Sequence, residues 1–479
     1  MTSPTQSEMV RWIEEVVSFG TRRPGSPADL RTEEYIAQLY ASFGLERVEK
    51  EPVPVNCCRS DRAELALPDG SRVPACSVPY TAWTPAAGIE APCVFLGSAT
   101  PEEIANSEVR GKIVVVEARF ADFSAAFLKQ HATHIHDTDN TIPDGILHKA
   151  NWLITNFSAY YAAHARGAVA FVGILVDAPI DGCEYWVPYD GFLKDLPAVW
   201  VGREQADTLR SLAHCGERLT LFSVGETRRI ESHNVVGWVP GKGDEIVVVT
   251  CHHDAPFASA VEDASGLAVL LALAKHFGAF PRTLERSLVF VASSGHFHGG
   301  DGNRVFVETH REDLLPRIVA ALGVEHFANE VESGPDGKYR LTGLPEVRAL
   351  FCDSQALSAR LAELLKPGVL ERGLILPPYI FGPEPPCDSA PFFTAGIPSL
   401  CHISGPLYLF DPEDTLDKVR VEDLVPAVGV FSELIRGIDA TPAAELERGL
   451  ARKRTDPPAA PPHWFLPPED YLKRMGTHG

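Results

Sequence analysis

The chain has 479 residues, more than one compact core accommodates, so two domains and a tail are expected. Apolar residues make up 45% and charged residues 22%, an ordinary globular composition that excludes wholesale disorder. With 43 Lys plus Arg against 64 Asp plus Glu, the net charge of -21 repels phosphate backbones and anionic bilayers, which argues against nucleic acid and membrane surfaces as partners.

From the start, Met9, Val10, Trp12, Ile13, Val16 and Val17 fall at helical spacing, and the pattern breaks at Arg22-Arg23-Pro24-Gly25-Ser26. A second amphipathic helix carries Tyr35, Ile36, Leu39, Tyr40 and Phe43, with Gly44 placed as its stop. From about 66 to 228 short strands and loops take over, such as Lys112 to Val116 and Ala168 to Val172, and this stretch reads as an inserted domain. Residues 129 to 166, rich in His, Asn, Thr and aromatics, interrupt that rhythm with at least one helix. After Arg229 the pattern is strand, loop, helix: Asn234 to Val239, Ile246 to Thr250, Gly266 to Phe277 and Ser287 to Ala292. Ile318 to Val324 and Pro398 to Ile403 extend a buried sheet. The fold class expected is α/β, a mixed central sheet with helices on both faces. A last helix, about Val421 to Ile438, precedes a proline-rich tail over 441–479.

No apolar run reaches the roughly 18 residues of a membrane helix, and Met1 to Glu8 is polar, so a cytoplasmic location is expected. The ten cysteines contain no CxxC, so reduced thiols are expected, and Cys251 reads as a small strand residue.

The strongest chemical signal lies at a strand end, Val247-Val248-Val249-Thr250-Cys251-His252-His253-Asp254, followed by Glu262-Asp263-Ala264-Ser265-Gly266 opening a helix. In open α/β sheets, ligands gather at the carboxyl ends of strands. His252 and Asp254, two apart, suit an imidazole turned toward a metal with a carboxylate in support. Alone, the pair is equally the mark of a surface histidine beside a capping aspartate.

The surroundings resemble the peptidase family that includes bacterial di-zinc aminopeptidases, glutamate carboxypeptidase, glutaminyl cyclase and the transferrin receptor. Phe19-Gly20-Thr21-Arg22-Arg23-Pro24-Gly25-Ser26 is similar to the family's opening, and Asn234 to Gly241 to the strand before its first ligand. Gly396 to Leu400 and Pro412 to Asp417 resemble its closing motifs. The insert, with Val109 to Val114, resembles a mainly-β protease-associated domain. The resemblance implies a catalytic domain over 1–65 and 229–440, with a cap over 66–228.

It also implies a site, residue by residue. The family's first His falls on His252, with Asp254 as supporting carboxylate; its bridging Asp falls on Glu262 and its strand-end Asp on Glu325. The Glu base and the adjacent Glu ligand fall on His296 and Phe297, and the distal His on Phe410. One metal position keeps His252, Glu262 and Glu325, while both private ligands of the other have become phenylalanine. A single divalent ion is therefore expected, zinc foremost and manganese or iron(II) compatible, because a phenyl ring cannot coordinate a cation. His296 titrates near neutrality and can carry the proton; the alternatives are that His296 or His298 is a fourth ligand or that both are structural.

His253 and His326 neighbour proposed ligands; strand alternation favours their pointing away from the site, with an additional ligand or substrate contact as the alternative. Asp388 and His402 lie in the stretch that lines the family's pocket, as candidates for substrate contact. His131, His134 and His136 of the insert, with Asp137, suit an exposed loop or lid over the cleft better than a metal site.

The function expected is a metal-dependent hydrolase acting on an amide or peptide-like bond in a small substrate, with the cap shaping specificity. Two other readings fit the same residues: a non-catalytic binding or scaffold member, and a mononuclear enzyme with cyclase-like or iron-dependent chemistry. The oligomeric state is left open, a homo-oligomer included.

Overall fold

The structure, a computed structural model, describes residues 4–456. Two helices open it. Gln6–Ser18 is capped by the Thr5 side chain and buries Met9, Trp12, Ile13 and Val16. Pro27–Ser42 has Ser26 as its cap and proline in its first turn, where a missing N–H costs nothing.

The central sheet runs in the order Arg218–Val239, Ser287–Ser293, Ile246–His252, Ile318–Val324, Ser399–Ser404, Arg348–Cys352, Gly373–Leu376 and His134–His136. Its middle strands are parallel. Every residue of Ile246–His252 is buried, as expected of a strand covered on both faces. Alternation divides it: Val247 and Val249 join the core formed with the helices Gly266–Gly278 and Val421–Ala440. Val248 faces the opposite layer, with Phe306 and Phe392. The expected mixed sheet with helices on both faces is what the chain forms. Strand ends differ from the sequence reading by a residue or two, as for Ile246–His252 and Ser399–Ser404.

Two long strands, Glu46–Ala66 and Arg218–Val239, pair antiparallel from Glu46 opposite Trp238 to Ala66 opposite Thr220. This ribbon carries the chain out of the central sheet and back, and position 228 falls inside it. At its far end Ile89–Phe95, Ile113–Glu117, Ala170–Leu175 and Ala198–Gly202 lie parallel over a separate apolar core that includes Ile113, Val172 and Val199. A pair of strands, Phe120–Ser124 and Ile146–Ile154, reaches back over the central sheet, and His134–His136 between them forms that sheet's edge by pairing with Gly373–Leu376.

Among the described residues no helix is long and apolar enough to cross a membrane. A short turn of helix, Ala443–Leu446, follows the last long one, and the proline-rich stretch from 457 onward lies outside the described residues.

Candidate metal centre

The carboxyl ends of three adjacent parallel strands converge. Ile246–His252 delivers His252, Ser287–Ser293 leads into the turn with His296 and Phe297, and Ile318–Val324 leads to Glu325 and His326. This is where an open α/β sheet collects ligands.

Glu262 arrives on the loop after His252, and two distant segments fix that loop. The buried guanidinium of Arg22 donates to the carbonyls of His253, Ala258, Ser259 and Glu262 at 3.1, 3.0, 2.9 and 3.2 Å. The Asp414 carboxylate accepts the N–H groups of Ala260, Val261 and Glu262 at 3.2, 2.8 and 2.9 Å. The opening motif around Arg22 and the closing motif around Asp414 thus work as clamps, holding a backbone that carries no regular ladder of its own.

His252 donates its Nδ1–H to the Asp254 carbonyl, 2.9 Å away, which turns Nε2 to the interior. The Asp254 carboxylate reaches the other way, accepting the N–H of His296 at 3.1 Å and of Phe297 at 2.8 Å. The turn there relies on Gly295, Gly299 and Gly300, with φ of 69°, 86° and 74°, a region that side chains with a Cβ disfavour.

His252 Nε2 lies 3.2 Å from Glu262 Oε1, and His326 Nε2 lies 2.5 Å from Glu262 Oε2. Ligand atoms of His252, Asp263, Glu325 and His326 all fall within 4.8 Å of one another, as do those of His252, Glu262 and His296 and those of His296, Glu325 and Asp388. His252 Nε2, both Glu262 oxygens, Glu325 Oε2, His326 Nε2 and Asp388 Oδ2 are buried and make no hydrogen bond of good geometry. Such atoms are costly to bury unpaired, and here they aim at one another.

Charge tells the same story. Burial pushes the Glu325 carboxyl up to about 7, helped by the neighbouring charges of Asp388 and Asp263. Burial likewise takes Asp263 up to about 6. Glu262 is the exception: burial works to raise it, but His326 and His252 hold it well below the carboxylate range. His326 loses to burial less than it gains from Glu262, and sits near 10. His252 is raised too, burial being outweighed by Asp388 and Glu262. The two imidazoles carry the positive charge that this ring of carboxylates demands, and a divalent cation would meet the same demand with more charge.

His326 departs from the sequence reading. The strand ends at Val324 and His326 has a φ of 52°, so alternation does not govern it. Its Nδ1 bonds the Ser404 carbonyl at 2.6 Å and its Nε2 faces Glu262. Asp263 was passed over in the sequence. Its Oδ1 accepts the N–H of Gly266 at 3.0 Å and of His326 at 3.1 Å, and its Oδ2 lies 3.7 Å from His252 Nε2. Its position three residues before Gly266, the start of a helix, was the available signal.

The remaining candidates separate clearly. The His296 ring stacks on His252 at 4.0 Å between centroids, and its Nδ1 lies 3.3 Å from Asp388 Oδ1. Asp388 in turn donates its backbone N–H to Glu325 Oε1 at 2.8 Å. His298 is turned elsewhere: its Nε2 accepts the Asn56 N–H at 2.9 Å and its Nδ1 bonds Asp301 at 2.7 Å. His253 faces Asp29, 2.9 Å away, on the other side of the strand. His402 stacks on Phe327 at 4.5 Å and bonds the Glu325 carbonyl at 2.8 Å, so it buttresses Glu325 from behind. Burial, then Arg348, brings its pKa down to about 3.

Phe297 and Phe410 are both buried and meet edge to face at 5.1 Å, and the Tyr189 ring touches each, at 5.5 and 5.2 Å. In the insert, His131 bonds the Phe127 carbonyl at 2.8 Å and His136 the Val369 carbonyl at 2.9 Å, so those imidazoles are spent on backbone. Among the described residues, no group of metal donors includes His131, His134 or His136.

Residues 234–349 match the model of peptidase family M28. A zinc aminopeptidase from Bacillus subtilis superposes with a TM-score of 0.67 at 17% identity, covering 94% of this chain and 100% of that one. A peptidase M28 precursor from Shewanella amazonensis gives 0.65 at 21% identity, covering 90% and 93%. An aminopeptidase from Aneurinibacillus sp. strain AM-1 gives 0.58 at 21%, covering 91% and 93%. No curated protein matches the chain. Residues 234–349, which carry His252, Glu262, His296, Glu325 and His326, are thus similar to peptidase family M28, and the fold of the chain is that of the zinc aminopeptidases.

Proposed function

We propose that this chain is a metal-dependent hydrolase of amide or peptide-like bonds in small substrates, with one divalent ion held by His252, Glu262, Glu325 and His326. The observation that carries the reading is the cluster of buried donor atoms, those of His252, Asp263, Glu325 and His326 within 4.8 Å of one another and those of His252, Glu262 and His296 likewise, several of them without a hydrogen bond of good geometry. Two imidazoles with carboxylates suit zinc, and manganese or iron(II) accept the same donors. The phenyl rings of Phe297 and Phe410, packed 5.1 Å apart, support a count of one, since neither offers a donor atom.

When bound, such an ion polarises a carbonyl and lowers the pKa of water. The chain's own residues do the rest. Asp254 fixes both the His252 ring and the turn bearing His296. Asp388 holds His296 Nδ1, which leaves Nε2 to take a proton from attacking water and return it to the departing nitrogen. Asp388 and Cys401 tie down Glu325 Oε1, at 2.8 and 3.0 Å, so that Oε2 faces the centre. The strand pair of the insert walls the cleft, and we read the insert as a cap that shapes specificity. A cytoplasmic setting suits the ten reduced cysteines.

Element analysis of purified protein tests this together with turnover. One ion per chain, lost in Glu325→Ala, and turnover reduced by about 100-fold or more in His296→Gln with the ion retained, is the expected result. A wild-type chain that binds no ion would instead establish a non-catalytic scaffold.

A further inference from the structure

Away from the metal centre, two thiols of the insert stand within reach of each other. Cys76, on the short strand Cys76–Ser77 that pairs with Ala198–Gly202, has its Sγ 3.6 Å from the Sγ of Cys183. The two lie 107 residues apart in sequence and meet because Cys183 sits on the loop between the neighbouring strands Ala170–Leu175 and Ala198–Gly202. A relative shift of less than about 2 Å brings the sulfurs to covalent distance. Gly182 and Glu184, on either side of Cys183, are exposed, so no packed side chain of theirs opposes that shift.

Both residues are half-buried, and each lines a cavity, of about 220 Å³ at Cys76 and about 340 Å³ at Cys183, wide enough to admit a small oxidant. The S–H that Cys76 donates holds the Cys183 thiol below its ordinary value, against burial and the Glu184 charge, while Cys183 and burial raise Cys76. The thiolate is the nucleophile toward peroxides, which makes Cys183 the first to react and Cys76 the resolving thiol. Other cysteines are placed differently. Cys387 and Cys401 are buried beside Glu325, and Cys57 and Cys58, adjacent on Glu46–Ala66, point to opposite faces of their strand.

We propose that Cys76 and Cys183 form a redox modification site, closed by a hydroperoxide into a reversible disulfide that joins the loop to the strand Cys76–Ser77. Cys183 attacks a peroxide oxygen, the O–O bond breaks, and an alcohol leaves, or water where the oxidant is hydrogen peroxide, so that Cys183 becomes a sulfenic acid. Cys76 Sγ then attacks Cys183 Sγ, and the displaced hydroxide departs as water with the Cys76 proton. The two thiols lose two electrons and the peroxide gains them. Further along, the same loop sets the Tyr189 ring against His296, 5.9 Å between centroids, so the bond fastens the stretch of the insert that reaches the metal centre.

The test uses the full chain, reduced and then exposed to about one equivalent of hydrogen peroxide. Peptide mapping without reductant should find the Cys76 and Cys183 peptides joined, at least about tenfold above any other cysteine pair, and separated again by reduced glutathione. Failure of that bridge to form or to dominate, for instance over one between Cys58 and Cys76, or its survival in glutathione, overturns the proposal. Two variants check the order of attack. Cys76→Ser keeps a donor hydroxyl beside Cys183 but removes the resolving thiol, so its Cys183 should hold the sulfenic acid and take up dimedone, whereas Cys183→Ser should leave Cys76 unlabelled. Any other pattern of labelling overturns the proposal as well.

Discussion

His326 Nε2 lies 2.5 Å from Glu262 Oε2 while its Nδ1 is engaged by the Ser404 carbonyl at 2.6 Å. An imidazole with one nitrogen fixed by a carbonyl and the other presented beside a carboxylate is oriented as metal-binding histidines are. His326→Ala should therefore weaken zinc binding by at least about 100-fold, whereas His253→Gln, altering a ring on the other face of the strand, should leave it within about threefold. Competition titration with a chelator of known affinity reads both values.

The Arg22 clamp gives a prediction about stability. Arg22→Met removes four hydrogen bonds and strands the carbonyls of His253, Ala258, Ser259 and Glu262. A loss of about 3 kcal/mol is expected in urea denaturation of the metal-free protein. Because Glu262 is carried by that loop, metal affinity should fall as well, by about tenfold.

The aromatic cluster can be tested by reversal. Replacing Phe297 by Glu and Phe410 by His together puts a carboxylate and an imidazole where two rings now meet at 5.1 Å. Element analysis should find two ions per chain in the double variant and one in either single variant. One ion in the double variant would show that these rings do not stand in a former metal position.

Away from the centre, Tyr339 donates its hydroxyl to Asp411 Oδ2 at 2.5 Å. Burial raises the Asp411 carboxyl to about 7. The folded chain thus keeps a proton that the unfolded chain releases near pH 4. More protons bound in the folded state means that this group's contribution to stability falls as pH rises from about 4 to 7. Asp411→Asn removes the titration, so the variant should gain on the wild type between pH 5 and pH 8, by about 1–3 kcal/mol in urea denaturation.

The legible parts of the site were those tied to regular structure. Apolar runs ending at His252 and before Glu325 marked strand ends, and glycines after His296 marked a turn that no larger residue would take. His326 was misjudged because it lies past the strand with a positive φ, and alternation stops where the ladder stops. Asp263 went unassigned because its partners, Gly266, His326 and Cys251, come together only through the fold. His402 carried a polar letter in a closing motif yet faces Phe327, and only packing reveals that. The Arg22 and Asp414 motifs were recognisable as strings, but their shared task of clamping one loop from two ends of the chain was not. In the fold, the reach of the Glu46–Ala66 and Arg218–Val239 ribbon was missed because its exposed middle lacks the apolar alternation of a half-buried strand.

The pairing of His134–His136 with Gly373–Leu376 has a mechanical meaning. Together with the ribbon it ties the inserted segment to the central sheet at two separated places, so swinging that segment outward on a single hinge would have to break a strand pairing.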